Sequence, residues 1–203
     1  MEPNTKVGSP AITALVAAGG LALALLPDAA HSLVYDRERV LAGEVWRLIT
    51  GHAVHFSMSH ALYNIVLFSV AGIWLERRNG LRYAWLIGLT ALVGSLYFLF
   101  FMPAMASYGG LSGVISAAVV YLCLQEMQQS GFVRTVWATI LLLFVAKVGY
   151  EILIGQTVFA APNATPFEVI PAIHIIGAVA AVLQFGVLEG RWRAHSSPRC
   201  DTA

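Results

Sequence analysis

The sequence predicts an all-α, polytopic membrane protein of six transmembrane helices, folded as one domain over residues 1–203. Two observations carry that expectation. Hydrophobic residues make up 58% of the chain and charged residues only 11%, against about a quarter charged in an ordinary soluble domain. The charges are also clustered, and a run of roughly 18 or more apolar residues can span a bilayer as a helix. A net charge of +1 supplies no basic field, so the lipid bilayer is the expected partner and nucleic acid is not.

Six apolar segments follow in order, at residues 11–26, 57–75, 83–102, 112–124, 132–154 and 170–188. The first is weak, about 24 Å long as a helix. Lys6 before it and Asp28-Ala29-Ala30 after it invite a signal-peptide reading. One lysine is a poor positive region, however, and small residues do not flank a cleavage point, so a retained span is expected. The fourth segment is short and follows a glycine-rich stretch. This predicts a helix that starts below the membrane surface, where irregular backbone must be buried in protein or line a watery cavity.

Basic residues set the expected orientation. With six spans, one side receives Lys6, Arg77, Arg78, Arg82, Arg134, Arg191, Arg193 and Arg199, and the other only Arg37, Arg39 and Arg47. Eight against three places both termini in the cytoplasm. The long first loop, Pro27–His55, mixes Val34-Tyr35, Val40-Leu41 and Trp46-Arg47-Leu48-Ile49 with charges, which predicts half-buried interfacial helices. The two cysteines, Cys123 in an apolar run and Cys200 in the polar tail, are expected to be unpaired thiols.

Ionisable and strongly hydrogen-bonding residues inside spans are costly, which makes each a functional candidate. Ser112 opens the fourth span within Tyr108-Gly109-Gly110-Leu111-Ser112-Gly113. Glycines allow a tight turn, and a serine at a helix start sees amides that favour developing negative charge. That suits a nucleophile whose intermediate carries an oxyanion, although the same residues also describe a helix-capping serine. His174 shares a helical face with Gly177, Ala178 and Ala181, all small, and Gly113, Ser116 and Ala117 form a matching face on the fourth span. Small faces let membrane helices approach closely, so packing them would bring His174 towards Ser112.

His60 and Asn64 stand at i and i+4 near the start of the second span, a plausible donor pair for an oxyanion. A metal site on His52, His55 and His60 competes with that reading, but no acidic or cysteine ligand matches it apart from Glu151. Depth separates the two. His60 and Asn64, Ser112, and His174 each lie in the first residues of spans that run from outside to inside, so all reach the same outer layer. Lys147 and Glu151, at i and i+4 in the fifth span, read as a structural ion pair that lowers the cost of entering the bilayer, with a substrate contact as the other reading.

These motifs resemble those of the rhomboid intramembrane proteases across nearly the whole chain. The matching elements are Trp46-Arg47 in the first loop, His60…Asn64 in the second span, Gly110-Leu111-Ser112-Gly113 opening the fourth, and His174…Gly177…Ala181 in the sixth. Ala181 replaces a glycine of the family pattern, and Ser116 stands where many members carry an aromatic residue. The resemblance implies a six-helix rhomboid-like bundle and a serine endopeptidase working through a Ser112–His174 dyad, with no acidic third member. His60 and Asn64 would serve the oxyanion, and neither metal nor organic cofactor would be needed. The implied substrates are single-span or C-terminally anchored membrane proteins. Gly51-His52-Ala53-Val54-His55 and the compact chain further resemble the rhombosortase subgroup, which implies a bacterial cytoplasmic (inner) membrane protein acting on C-terminal Gly-Gly sorting tails. Two alternatives stand beside this: a catalytically silent relative that binds membrane proteins, and a metal-dependent hydrolase using His52, His55 and His60.

Overall fold

The computed structural model describes residues 9–156 and 170–196, with side chains as far as Leu188; Cys200 lies outside them. Helix α1 (Ala11–Leu25) turns by 119° into α2 (Pro27–Leu33). The first loop continues through strand β1 (Tyr35–Asp36), α3 (Arg37–Leu41), α4 (Arg47–Thr50) and a 3-10 turn at Gly51–Ala53. Then come α5 (Met58–Phe101), strand β2 (Ser107–Tyr108), α6 (Ser112–Glu126), α7 (Gly131–Ile154) and α8 (Pro171–Ser196). Among the described residues, α5, α7 and α8 are long and apolar enough to cross a membrane, and a fourth span results if the bent α1–α2 pair counts as one. This is a multi-pass membrane protein.

The second and third expected segments lie on the single element α5, whose helical geometry breaks only at Asn79 (φ −159°, ψ 95°). The Asn79 side chain accepts a hydrogen bond from the Arg82 amide at 3.0 Å, the capping interaction that starts a helix. The second arm folds back on the first. The Tyr83 hydroxyl fills the space beside Gly72, and the Phe68 and Tyr83 rings lie 6.3 Å apart. The expected loop at 76–82 thus contracts to one extended residue. Each arm is about 30 Å long, enough for a bilayer crossing.

Helix α6 has 15 residues, about 22 Å, short of a hydrocarbon core of about 30 Å. It packs against α5, α7 and α8, and residues 113–118 are all buried. A helix that is apolar all round belongs in such a centre. The main core gathers Phe68, Leu75, Tyr83, Leu86, Val114 and Tyr121 around it.

The first loop is pinned to the segment that leads into α6. Strands β1 and β2 pair antiparallel, Tyr35 opposite Tyr108 and Asp36 opposite Ser107. The Arg37 amide donates to the Ala106 carbonyl at 2.9 Å. Arg47 is only 1% exposed; it donates to the carbonyls of His31 (3.1 Å) and Val34 (2.8 Å) and to Glu44 Oε2 (2.6 Å). Its neighbour Trp46 stays exposed at the start of α4. At the far end of the first arm of α5, just before the break at Asn79, Glu76 accepts from the Ile12 and Thr13 amides at 2.8 Å each and from the Thr13 hydroxyl at 2.7 Å. These amides belong to the first turn of α1, which has no partners within its own helix.

Candidate active site

Ser112 is the first residue of α6 and is half-buried, whereas its neighbours Leu111 and Gly113 are buried. The turn that delivers it depends on Gly110, whose φ of +142° strains any residue with a β-carbon. A side chain there would also press on the His60 ring, with Cε1 at 3.0 Å and Nε2 at 3.3 Å. The Gly110 amide donates to the Gly51 carbonyl at 3.4 Å. Tyr108, buried against His52 and Phe98, donates its hydroxyl to the Gly110 carbonyl at 2.9 Å and interacts with the Ser112 side chain. Burial pushes this phenol up to about 12, so it stays a neutral donor.

Ser57 caps α5 through a hydrogen bond from the His60 amide (3.2 Å), which fixes His60 in the first turn beside Gly110. Asn64 lies one turn further along the same face and is buried.

The small faces of α6 and α8 meet backbone to backbone. A β-carbon on Gly177 would strike the Gly113 carbonyl and come within 3.0 Å of the Ala117 amide. One on Gly113 would strike the Ile173 side chain, which also fills the space over Gly94. Ser112 and His174 therefore each adjoin, in sequence, one member of the Gly113–Ile173 contact. His174 is 5% exposed.

The surroundings of His174 differ from expectation in one respect. No acidic group was foreseen beside it, yet Glu151 Oε2 lies 2.9 Å from its Nδ1. Glu151 also pairs with Lys147 at 2.8 Å, and Lys147 Nζ stands 3.1 Å from Nδ1 and 3.4 Å from Nε2. The expected Lys147–Glu151 pair exists, and it is shared with the histidine. Ser116 does not reach into this group; its hydroxyl donates to the Ser112 carbonyl at 2.8 Å.

His52 and His55, the other two histidines of the candidate metal set, are engaged locally. His52 Nε2 donates to the Ala91 carbonyl at 2.9 Å, with the Ser95 hydroxyl 3.0 Å away. Burial pushes it down to about 4, which keeps it neutral. His55 Nδ1 donates to the Ala53 carbonyl at 3.1 Å, and its ring meets His60 edge-on at 5.1 Å. Among the described residues no three His, Cys, Asp or Glu side chains group as metal ligands. Sequence reasoning gave Tyr108 no role and gave Glu151 none beside His174. The Tyr108 phenol beside two glycines was a visible signal; the rotation of α7 that turns Glu151 towards α8 was not.

A half-buried hydroxyl at a helix start, with imidazoles supplied by two other helices, is an arrangement suited to acyl transfer. The family model described as "Rhomboid domain" matches residues 42–190. The chain belongs to the rhomboid family. The Rhomboid protease GluP of Bacillus subtilis (strain 168) is 29% identical over 119 residues, which cover 57% of this chain and 23% of that protein. The match thus spans about a quarter of the relative's length. The rhomboid match includes Trp46, Arg47, His60, Asn64, Ser112 and His174 and leaves α1 and α2 outside it.

Proposed function

We propose that this rhomboid is an intramembrane serine endopeptidase in which Ser112 is the nucleophile and His174 its general base. The observation that carries the reading is the Gly113–Ile173 and Gly113–Gly177 contact, which brings the starts of α6 and α8 together with Ser112 on one and His174 on the other. Ser112 Oγ attacks the scissile carbonyl carbon while His174 takes its proton. The carbon–nitrogen bond then breaks, and His174 hands the proton to the leaving amine. Water, activated by the same imidazole, releases the acyl group. The oxyanion is received by the Ser112 amide, His60 and Asn64. Support for the His60 role comes from its ring lying against Gly110, two residues before the nucleophile. The scheme draws on no metal or organic cofactor.

The two arms of α5, together with α1, α6, α7 and α8, make six spans in this reading. The eight-to-three basic asymmetry puts both termini in the cytoplasm of a bacterial inner membrane. The polar groups then lie in the outer layer, where they would cut membrane-anchored proteins. A helical substrate hides its carbonyls in hydrogen bonds, and glycine lowers helix stability by about 1 kcal/mol per residue relative to alanine. A Gly-Gly pair near the outer end of a C-terminal anchor would open easily, in keeping with the rhombosortase-like motifs.

The test is covalent labelling with a fluorophosphonate, followed by mapping of the modified residue. Label on Ser112, lost in Ser112→Ala and in His174→Ala, is expected. Chelator-sensitive cleavage restored by zinc would overturn the scheme.

A further inference from the structure

We infer that Glu151 is a positioning residue for His174, acting with Lys147 as a charge-balanced clamp that makes the serine–histidine pair a three-membered relay. The inference rests on the protease reading above. A carboxylate can only accept, so a hydrogen bond from His174 Nδ1 to Glu151 Oε2, 2.9 Å away, requires the tautomer with its hydrogen on Nδ1; the Lys147 ammonium, 3.1 Å from the same nitrogen, then pairs with Glu151 and not with the ring. That leaves the lone pair on Nε2 for the Ser112 proton. Nδ1–H remains bonded to Glu151 after the transfer, and the carboxylate faces the imidazolium without taking a proton from it.

Lys147 explains why a carboxylate is needed at this place. Its ammonium lies 3.1 Å from His174 Nδ1, where alone it would oppose a second positive charge on the ring. Glu151, at a similar distance from the ring and 2.8 Å from Lys147, offsets that field almost completely, since opposite charges at equal range cancel. What remains is orientation: one fixed tautomer, held from α7. The Ser116 hydroxyl on α6 supplies no substitute, because it is spent on the Ser112 carbonyl. Glu151 is 1% exposed, so water does not replace it. Besides Lys147 and Glu151 on α7, the titratable groups facing His174 are His60 on α5 and, behind it, His55.

The measurements are the rate of fluorophosphonate labelling of Ser112, and kcat and KM for a single-span substrate across pH. The variants are Glu151→Gln, Glu151→Asp, Lys147→Met and the double variant Lys147→Met/Glu151→Gln. Glu151→Gln should lower kcat at least about tenfold, and up to the ~10⁴-fold known for loss of a carboxylate behind a catalytic histidine, with KM little changed. Adding Lys147→Met should recover part of the loss, and Glu151→Asp should retain more activity than Glu151→Gln. If Glu151→Gln fails to fold, the double variant, which removes the pair together, and Glu151→Asp carry the test. A labelled wild type with unaltered kcat in Glu151→Gln overturns the inference and leaves the protease reading standing. So does a double variant no better than Glu151→Gln. A wild type that takes no label on Ser112 overturns both.

Discussion

The carbonyl oxygen of Gly113 occupies the place where a β-carbon on Gly177 would have to sit. The crossing of α6 and α8 is therefore set by backbone, and the separation of Ser112 from His174 inherits that tolerance.

Any side chain at 177 must push the two helices apart. Overpacking of this kind typically costs about 1–3 kcal/mol. Gly177→Ala should lower the melting temperature in detergent and reduce Ser112 labelling more than stability alone accounts for, and Gly177→Val should abolish labelling. A fully active Gly177→Val would show that the approach does not set the site geometry.

Ser112→Ala should leave the fold nearly intact, because the residue is half-buried and the helix begins from Leu111. Melting temperature and protease resistance should match the wild type while cleavage disappears. Cleavage surviving in this variant would remove Ser112 from the chemistry.

Asn64→Ala should act on rate. Removing one oxyanion donor costs about 10²–10³ in turnover, so kcat should fall by that order with KM nearly constant. An unchanged kcat would leave Asn64 as a buried packing residue of α5.

Arg47→Met strips the buried Val34 carbonyl and the part-buried His31 carbonyl of their donor. Each buried group left unsatisfied costs about 1–3 kcal/mol, so a clear drop in thermal stability is expected. Glu44→Gln, altering the more exposed partner, should do less. Equal melting curves for the two variants would contradict this account.

His52 ties stability to pH. Burial holds it at about 4 in the fold, against about 6.5 in an unfolded chain. Between those values the unfolded chain binds the extra proton, so stability falls as pH drops from 6.5 towards 4, by at most about 1.4 kcal/mol per pH unit. Unfolding curves of His52→Gln should be flatter than wild type across that window. Parallel curves would mean that His52 is not neutral in the fold.

Apolar runs made the helical segments legible, because in a bilayer only a helix of sufficient length satisfies its own backbone. The contact between α6 and α8 was also legible, since Gly113, Ser116 and Ala117 and Gly177, Ala178 and Ala181 recur at helical spacing. The break in α5 was blurred. Glu76, Arg77 and Arg78 read as a loop, whereas one asparagine makes the turn by capping the second arm. Glu151 was visible as a charge in a span, but not as a partner of His174. With apolar residues all round α7, periodicity gives no rotation to the helix. Lys147 and His174 are also 27 residues apart, beyond any local pattern.

The cap on α1 has a consequence for biosynthesis. The Ile12 and Thr13 amides find their acceptor in Glu76, more than sixty residues downstream. At about 5–20 residues per second, a ribosome needs on the order of 3–13 s to deliver that carboxylate after α1 has been made. Through this interval the first helix has its leading amides unsatisfied by protein. It can reach its final seat only once the first arm of α5 has been inserted. The N-terminal helix is thus made first and secured later, and Glu76→Ala should leave it accessible to protease added to the detergent-solubilised protein while the rest of the bundle stays closed.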